Sequence, residues 1–237
     1  MRQTTNHRDR EPQGLRRVLR VAVTLWFVVG VLISAERVAA QGGVWEPAIA
    51  AFEASDRTTP PLTGEIVFVG SSSIRLWDVQ RYFPDLKIIN RGFGGSQLSD
   101  TVRYAERIVT PYKPRIVVVY AGDNDIYAGL TSEQVAISFE QFVRIVRAKV
   151  PDVRIVFIGI KPSLQRWDVI ERMRLANEMI RAYAEHDDNI AFVDVDQAML
   201  GWDERPRPEL FVADGLHLTP AGYELWSALL RPLLAAR

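Results

Sequence analysis

The chain has 237 residues, 48% of them hydrophobic and 24% charged, which suits one core-bearing domain of roughly 190 residues behind a separate amino-terminal segment. Acidic and basic side chains balance at 29 each, so no net charge draws the protein to nucleic acid or to an anionic membrane, and a small, weakly charged partner is expected. The absence of cysteine excludes disulfides, thiolate catalysis and thiolate metal sites together.

Arg16, Arg17 and Arg20 precede an apolar run from Val21 to Ile33 that is short for a membrane span. Small residues at Val38 and Ala40 follow, so residues 1–40 read as a signal peptide cleaved before Gln41, with residues 41–237 as the folded domain. An uncleaved membrane anchor is the alternative. Either way the domain is expected outside the cytoplasm, secreted or periplasmic.

From Gly42 onward, β-branched runs alternate with amphipathic stretches, the pattern of a parallel sheet with crossover helices. Strands are expected at Glu65–Val69, Lys87–Asn90, Arg115–Ala121, Arg154–Ile160 and Ile190–Val195. Each is apolar on both faces, as a sheet covered on both sides requires. Helices are expected at Trp45–Ala54, Ser99–Val109, Ser132–Val150 and Val169–His186, with a last one capped by Thr219 and opened by Pro220. Val135, Phe139, Phe142, Val143, Val146 and Val150 recur at helical spacing and read as a core face. Residues 197–214 read as a long loop over a functional site.

Three histidines are available. His7 lies in the segment expected to be removed, and His186 stands at a polar helix end where solvation or the helix dipole explains it. His217 lies in Asp214-Gly215-Leu216-His217, a turn that can set a carboxylate against one imidazole nitrogen and leave the other to accept a proton. The first strand runs into Gly70-Ser71-Ser72-Ser73, three hydroxyls at the carboxyl end of a parallel strand, where ligands of such sheets bind. Helix capping or anion binding by backbone N–H groups is the competing use of these serines. The second strand leads to the glycine-rich turn Asn90 to Gly95, and the third to Gly122-Asp123-Asn124-Asp125. A backbone N–H from the serine turn, another from the Gly95 turn and the Asn124 amide would surround a developing oxyanion.

These four blocks, in this order, resemble those of the SGNH/GDSL hydrolase superfamily, over about Ile66 to Gly222. Within that superfamily the chain is similar to the compact single-domain acetylhydrolases of the kind acting on platelet-activating factor. The resemblance implies an α/β fold, a flavodoxin-like three-layer α/β/α sandwich on a five-stranded parallel sheet. It also implies Ser72 as nucleophile, Asp214 and His217 as its partners, and Ser72, Gly95 and Asn124 as oxyanion donors. The first block departs from the usual Gly-Asp-Ser: Ser71 replaces the aspartate, leaving Ser71 and Ser73 as rival hydroxyls.

The chemistry so implied is acyl transfer from a small ester, an acetylated carbohydrate or a lipid, with no metal or organic cofactor and no stable membrane insertion once the signal is cleaved. Two other classes compete. Asp123, Asp125, Asp214 and His217 would hold a divalent cation for phosphoester hydrolysis. A secreted glycan- or lipid-binding module would use exposed aromatics such as Trp77, Tyr127, Trp167 and Trp202.

Overall fold

The computed structural model describes Met1 and residues 43–235. The expected signal peptide, with its cleavage site and His7, lies outside the described residues. Among the described residues no helix is long and apolar enough to cross a membrane.

Helix α1 (residues 43–58) leads to β1 (Ile66–Gly70), the short helices α2 (Ser72–Arg75) and α3 (Val79–Tyr82), and β2 (Ile88–Gly92). There follow α4 (Leu98–Ile108), β3 (Ile116–Tyr120), the short α5 (Asp123–Tyr127), α6 (Ser132–Lys149) and β4 (Arg154–Ile158). The chain closes with α7 (Ile170–Ala184), β5 (Ile190–Val193) and α8 (Pro220–Leu234). All five expected strands are present and parallel, in the order β2-β1-β3-β4-β5. This is the flavodoxin-like order, and it places a topological switch point between the ends of β1 and β3.

Side chains alternate across a strand, and both faces of this sheet are covered. Val67, Val69, Val117, Val119, Ile155 and Phe157 pack toward α1, α4, α6 and α7. Ile66, Phe68, Ile116, Val118, Val156 and Ile158 pack on the opposite side with α3 and α8. The valine row of α6 lies in the first of these cores, as its spacing predicts. Thr131 and Gln134 exchange bonds in a capping box at the start of α6, and Thr219 accepts from the Gly222 N–H at the start of α8.

The short helices α2, α3 and α5 were not expected from periodicity, since four or five residues are too few to show one. Two of them matter for the site, because α2 and α5 spring directly from the ends of the adjacent strands β1 and β3. Gly70 makes this junction possible. Its φ is +139°, and a Cβ there would stand 1.9 Å from the Tyr120 carbonyl oxygen. The stretch 197–214 is a long connection, with 3₁₀ turns at Gln197–Met199 and Pro208–Leu210. Trp77 corrects an expectation: at 2% exposure it is no surface aromatic but sits among Phe68, Phe83, Tyr223 and Trp226.

Candidate active site

The three serines of the first turn have separate fates. Ser71 precedes α2 and is buried, and its hydroxyl has no hydrogen-bond partner among the described residues. Ser73 is also buried, with Oγ 3.4 Å from the Lys161 ammonium. Ser72 is half-buried, and its Oγ lies 2.9 Å from His217 Nε2. The other ring nitrogen, Nδ1, lies 2.6 Å from Asp214 Oδ2. Asp214 Oδ1 accepts from the backbone N–H groups of Leu216 (2.8 Å) and His217 (2.9 Å). Burial works against this carboxylate, but the His217 side chain and those two N–H groups outweigh it and hold its pKa down at about 2. Asp214 is therefore an anion at any physiological pH, fitted to keep a proton on Nδ1 and Nε2 free to accept one.

The serine turn is latched from two directions. Asn90 Nδ2 donates to the carbonyls of Ile74 (2.7 Å) and Trp77 (3.2 Å), while its Oδ1 accepts from the Gly92 N–H. On the other side, the Tyr223 hydroxyl of α8 donates to the Ser73 carbonyl at 2.9 Å.

Opposite His217, Gly95 is left-handed (φ +79°), with the Trp45 ring close enough that a Cβ would meet it at 3.2 Å. No backbone carbonyl among the described residues accepts from the N–H of Gly95 or of Ser72. Asn124 Nδ2 donates to the Ser96 carbonyl (2.8 Å), leaving its second hydrogen uncommitted, and Oδ1 accepts from Arg166 Nη2 (2.8 Å). Ser72, Gly95, Asn124 and His217 together line one cleft of about 430 Å³, with Arg75, Gly94, Arg166 and Leu216.

Behind Asn124 lies a buried ionic cluster that sequence reasoning missed. Asp123 Oδ2 is 3.1 Å from Lys161 Nζ and 3.2 Å from Arg166 Nη1, and its Oδ1 accepts from the Asn124 N–H. Lys161 also donates to the Tyr120 hydroxyl at 2.9 Å. Burial opposes ionisation of Asp123, but these two cations win and hold its carboxyl below the usual range. Asp125, two residues on, has no such cation among the described residues; burial outweighs the backbone N–H groups of Leu98 and of Asp125 itself and pushes it up to about 7. Nothing local in the sequence singles out Lys161 or Arg166.

The competing metal arrangement does not assemble. Asp123 is committed to Lys161 and Arg166, Asp125 to the Leu98 N–H, and Asp214 to His217. Among the described residues no three His, Asp or Glu side chains converge as metal ligands. His186 is exposed beyond α7, as expected.

Residues 76–225 match the GDSL-like Lipase/Acylhydrolase family. The chain belongs to this family. It is 31% identical over 183 residues to platelet-activating factor acetylhydrolase IB subunit alpha1 of Bos taurus, a match covering 71% of this chain and 76% of that protein. Its fold is similar to that of a GDSL-like lipase from Bacteroides thetaiotaomicron, with TM-score 0.69 and 20% identity over 78% of this chain and 96% of the other. A variant of an acetyl-xylooligosaccharide esterase from Geobacillus Stearmophilus aligns with TM-score 0.59 and 17% identity, over 74% and 96%. The protein is thus a hydrolase of the GDSL acylhydrolase type. The match begins at Leu76, just past the serine turn.

Proposed function

We propose that the protein is a serine esterase that cleaves small, short-acyl esters, acetyl esters foremost, outside the cytoplasm. The observation that carries the reading is the chain Asp214–His217–Ser72, with links of 2.6 and 2.9 Å, opening on one cleft with Gly95 and Asn124. His217 Nε2 takes the Ser72 proton as Oγ bonds to the ester carbonyl carbon. The carbonyl oxygen, now an anion, accepts from the N–H groups of Ser72 and Gly95 and from Asn124 Nδ2. The imidazolium, stabilised by Asp214, gives its proton to the departing alkoxide as the C–O bond breaks, leaving an acyl-Ser72 ester and a free alcohol. Water, deprotonated by the same nitrogen, then releases the acid and restores Ser72. The steps require no metal and no organic cofactor.

A short acyl group fits the modest cleft, and both the acetylhydrolase and the acetyl-xylooligosaccharide esterase carry acetyl chemistry in their names. The substrate is then an acetylated carbohydrate or a lipid ester, and the alcohol released is the carbohydrate or lipid hydroxyl. Ser72→Ala should lower turnover of p-nitrophenyl acetate by at least about 10⁴-fold with unchanged thermal unfolding, and should abolish labelling by a fluorophosphonate. Near-full activity in that variant sinks the assignment. The export reading has its own check: the mass of the protein recovered outside the cytoplasm should correspond to a chain starting at Gln41, and a chain retaining Val21 refutes cleavage.

A further inference from the structure

A guanidinium cannot shed its charge, so burying one is costly unless its donors are used. Arg166 is only 7% exposed. Its Nε and Nη1 are shielded from solvent and have no hydrogen-bond acceptor among the described residues, although Nη1 lies 3.2 Å from the Asp123 carboxylate as an ion pair. The guanidinium carbon stands 4.8 Å from the centre of the Tyr127 ring. One well-formed hydrogen bond leaves this cation, and it ends on the Asn124 amide oxygen.

That bond decides which way the amide faces. Arg166 has only donors and the Ser96 carbonyl only accepts, so Oδ1 must face the arginine and Nδ2 the carbonyl; the reverse orientation would break both bonds. The second Nδ2 hydrogen then remains for the cleft. A cation on the amide oxygen also draws electron density from the nitrogen, which makes that hydrogen a stronger donor. Asp123 steadies both ends, pairing with Arg166 and accepting from the Asn124 backbone N–H, while Lys161 joins it to Ser73 beside the nucleophile.

We propose that Arg166, anchored by Asp123, is a positioning residue that orients and polarises the Asn124 amide for the oxyanion formed on the substrate. The inference rests on the esterase reading above. It differs from direct recognition of an anionic substrate, for which two of the three guanidinium nitrogens are badly placed.

A double-mutant cycle on the full mature chain tests it, with neutral p-nitrophenyl acetate as substrate and a boronic acid as transition-state mimic. Arg166→Gln should lower kcat about ten-fold with KM within about two-fold, and should weaken the boronate by a similar factor. Arg166→Lys should recover part of the loss. In the Asn124→Ala background, itself slowed by about 10² to 10³, Arg166→Gln should change kcat by less than about two-fold. An equal loss in both backgrounds overturns the inference, as does a rise in KM at constant kcat. Full activity of Asn124→Ala would instead refute the oxyanion role on which the inference stands. If Arg166→Gln does not fold, Arg166→Lys keeps a cation beside Asp123 and carries the same cycle.

Discussion

The two halves of the candidate site are held by different physics. Ser72 and Asn124 stand at the ends of adjacent central strands, backed by buried Lys161, Asp123 and Arg166 and latched by Asn90. Asp214 and His217 stand on the long connection before α8, where Asp214 is exposed and is aligned mainly by the N–H groups of its own turn. In the first half, function and stability draw on the same groups. In the second, the groups serve the proposed chemistry and contribute little to the fold.

The sharpest way to break the contrast is Lys161→Met, which leaves Asp123 with one cation fewer in a dry site. It should destabilise the protein by about 3–5 kcal/mol in urea unfolding, and a loss below about 1 kcal/mol would mean the core half is no more deeply anchored than the loop half. Asp125→Asn comes next. The Asp125 carboxyl is raised to about 7, so between its unfolded pKa near 3.8 and about 7 the folded state keeps a proton that the unfolded state has released. Stability should therefore fall as pH rises from about 4 to 7 and level off above. Asp125→Asn should remove that slope and be more stable than the parent at pH 8 by roughly 2–3 kcal/mol. Parallel pH profiles for the two proteins would contradict the assignment.

On the loop half, Asp214→Asn should shift stability by less than about 1 kcal/mol while lowering kcat by up to about 10⁴-fold. Large destabilisation there would erase the contrast. His186→Gln, outside both halves, should leave stability within about 0.5 kcal/mol of the parent, with activity unchanged in the acetate ester assay.

What was legible in the sequence follows the same division. The strands could be read because a doubly covered sheet needs uninterrupted apolar runs; Ile116–Tyr120 falls inside the stretch expected for it. The Asp214–His217 pair was legible because its parts are neighbours in the chain. Ser72 could not be told from Ser71 and Ser73 by composition. They separate only when α2 turns one hydroxyl toward His217 and buries the other two. Arg166 and Lys161 were invisible because nothing local marks them. They reach Asp123 only because β4 lies beside β3 and carries the segment after it to the same end of the sheet.

The Tyr223 bond to the Ser73 carbonyl spans 150 residues, and the Ser72–His217 bond spans 145. Both are contacts of long sequence separation, which close more slowly than local ones. A fragment that stops before Asp214 can possess every strand of the sheet and still lack the Asp214–His217 pair that faces Ser72. On the esterase reading, turnover is therefore a readout of completion: a chain that ends before Asp214 should be silent however well its sheet has formed.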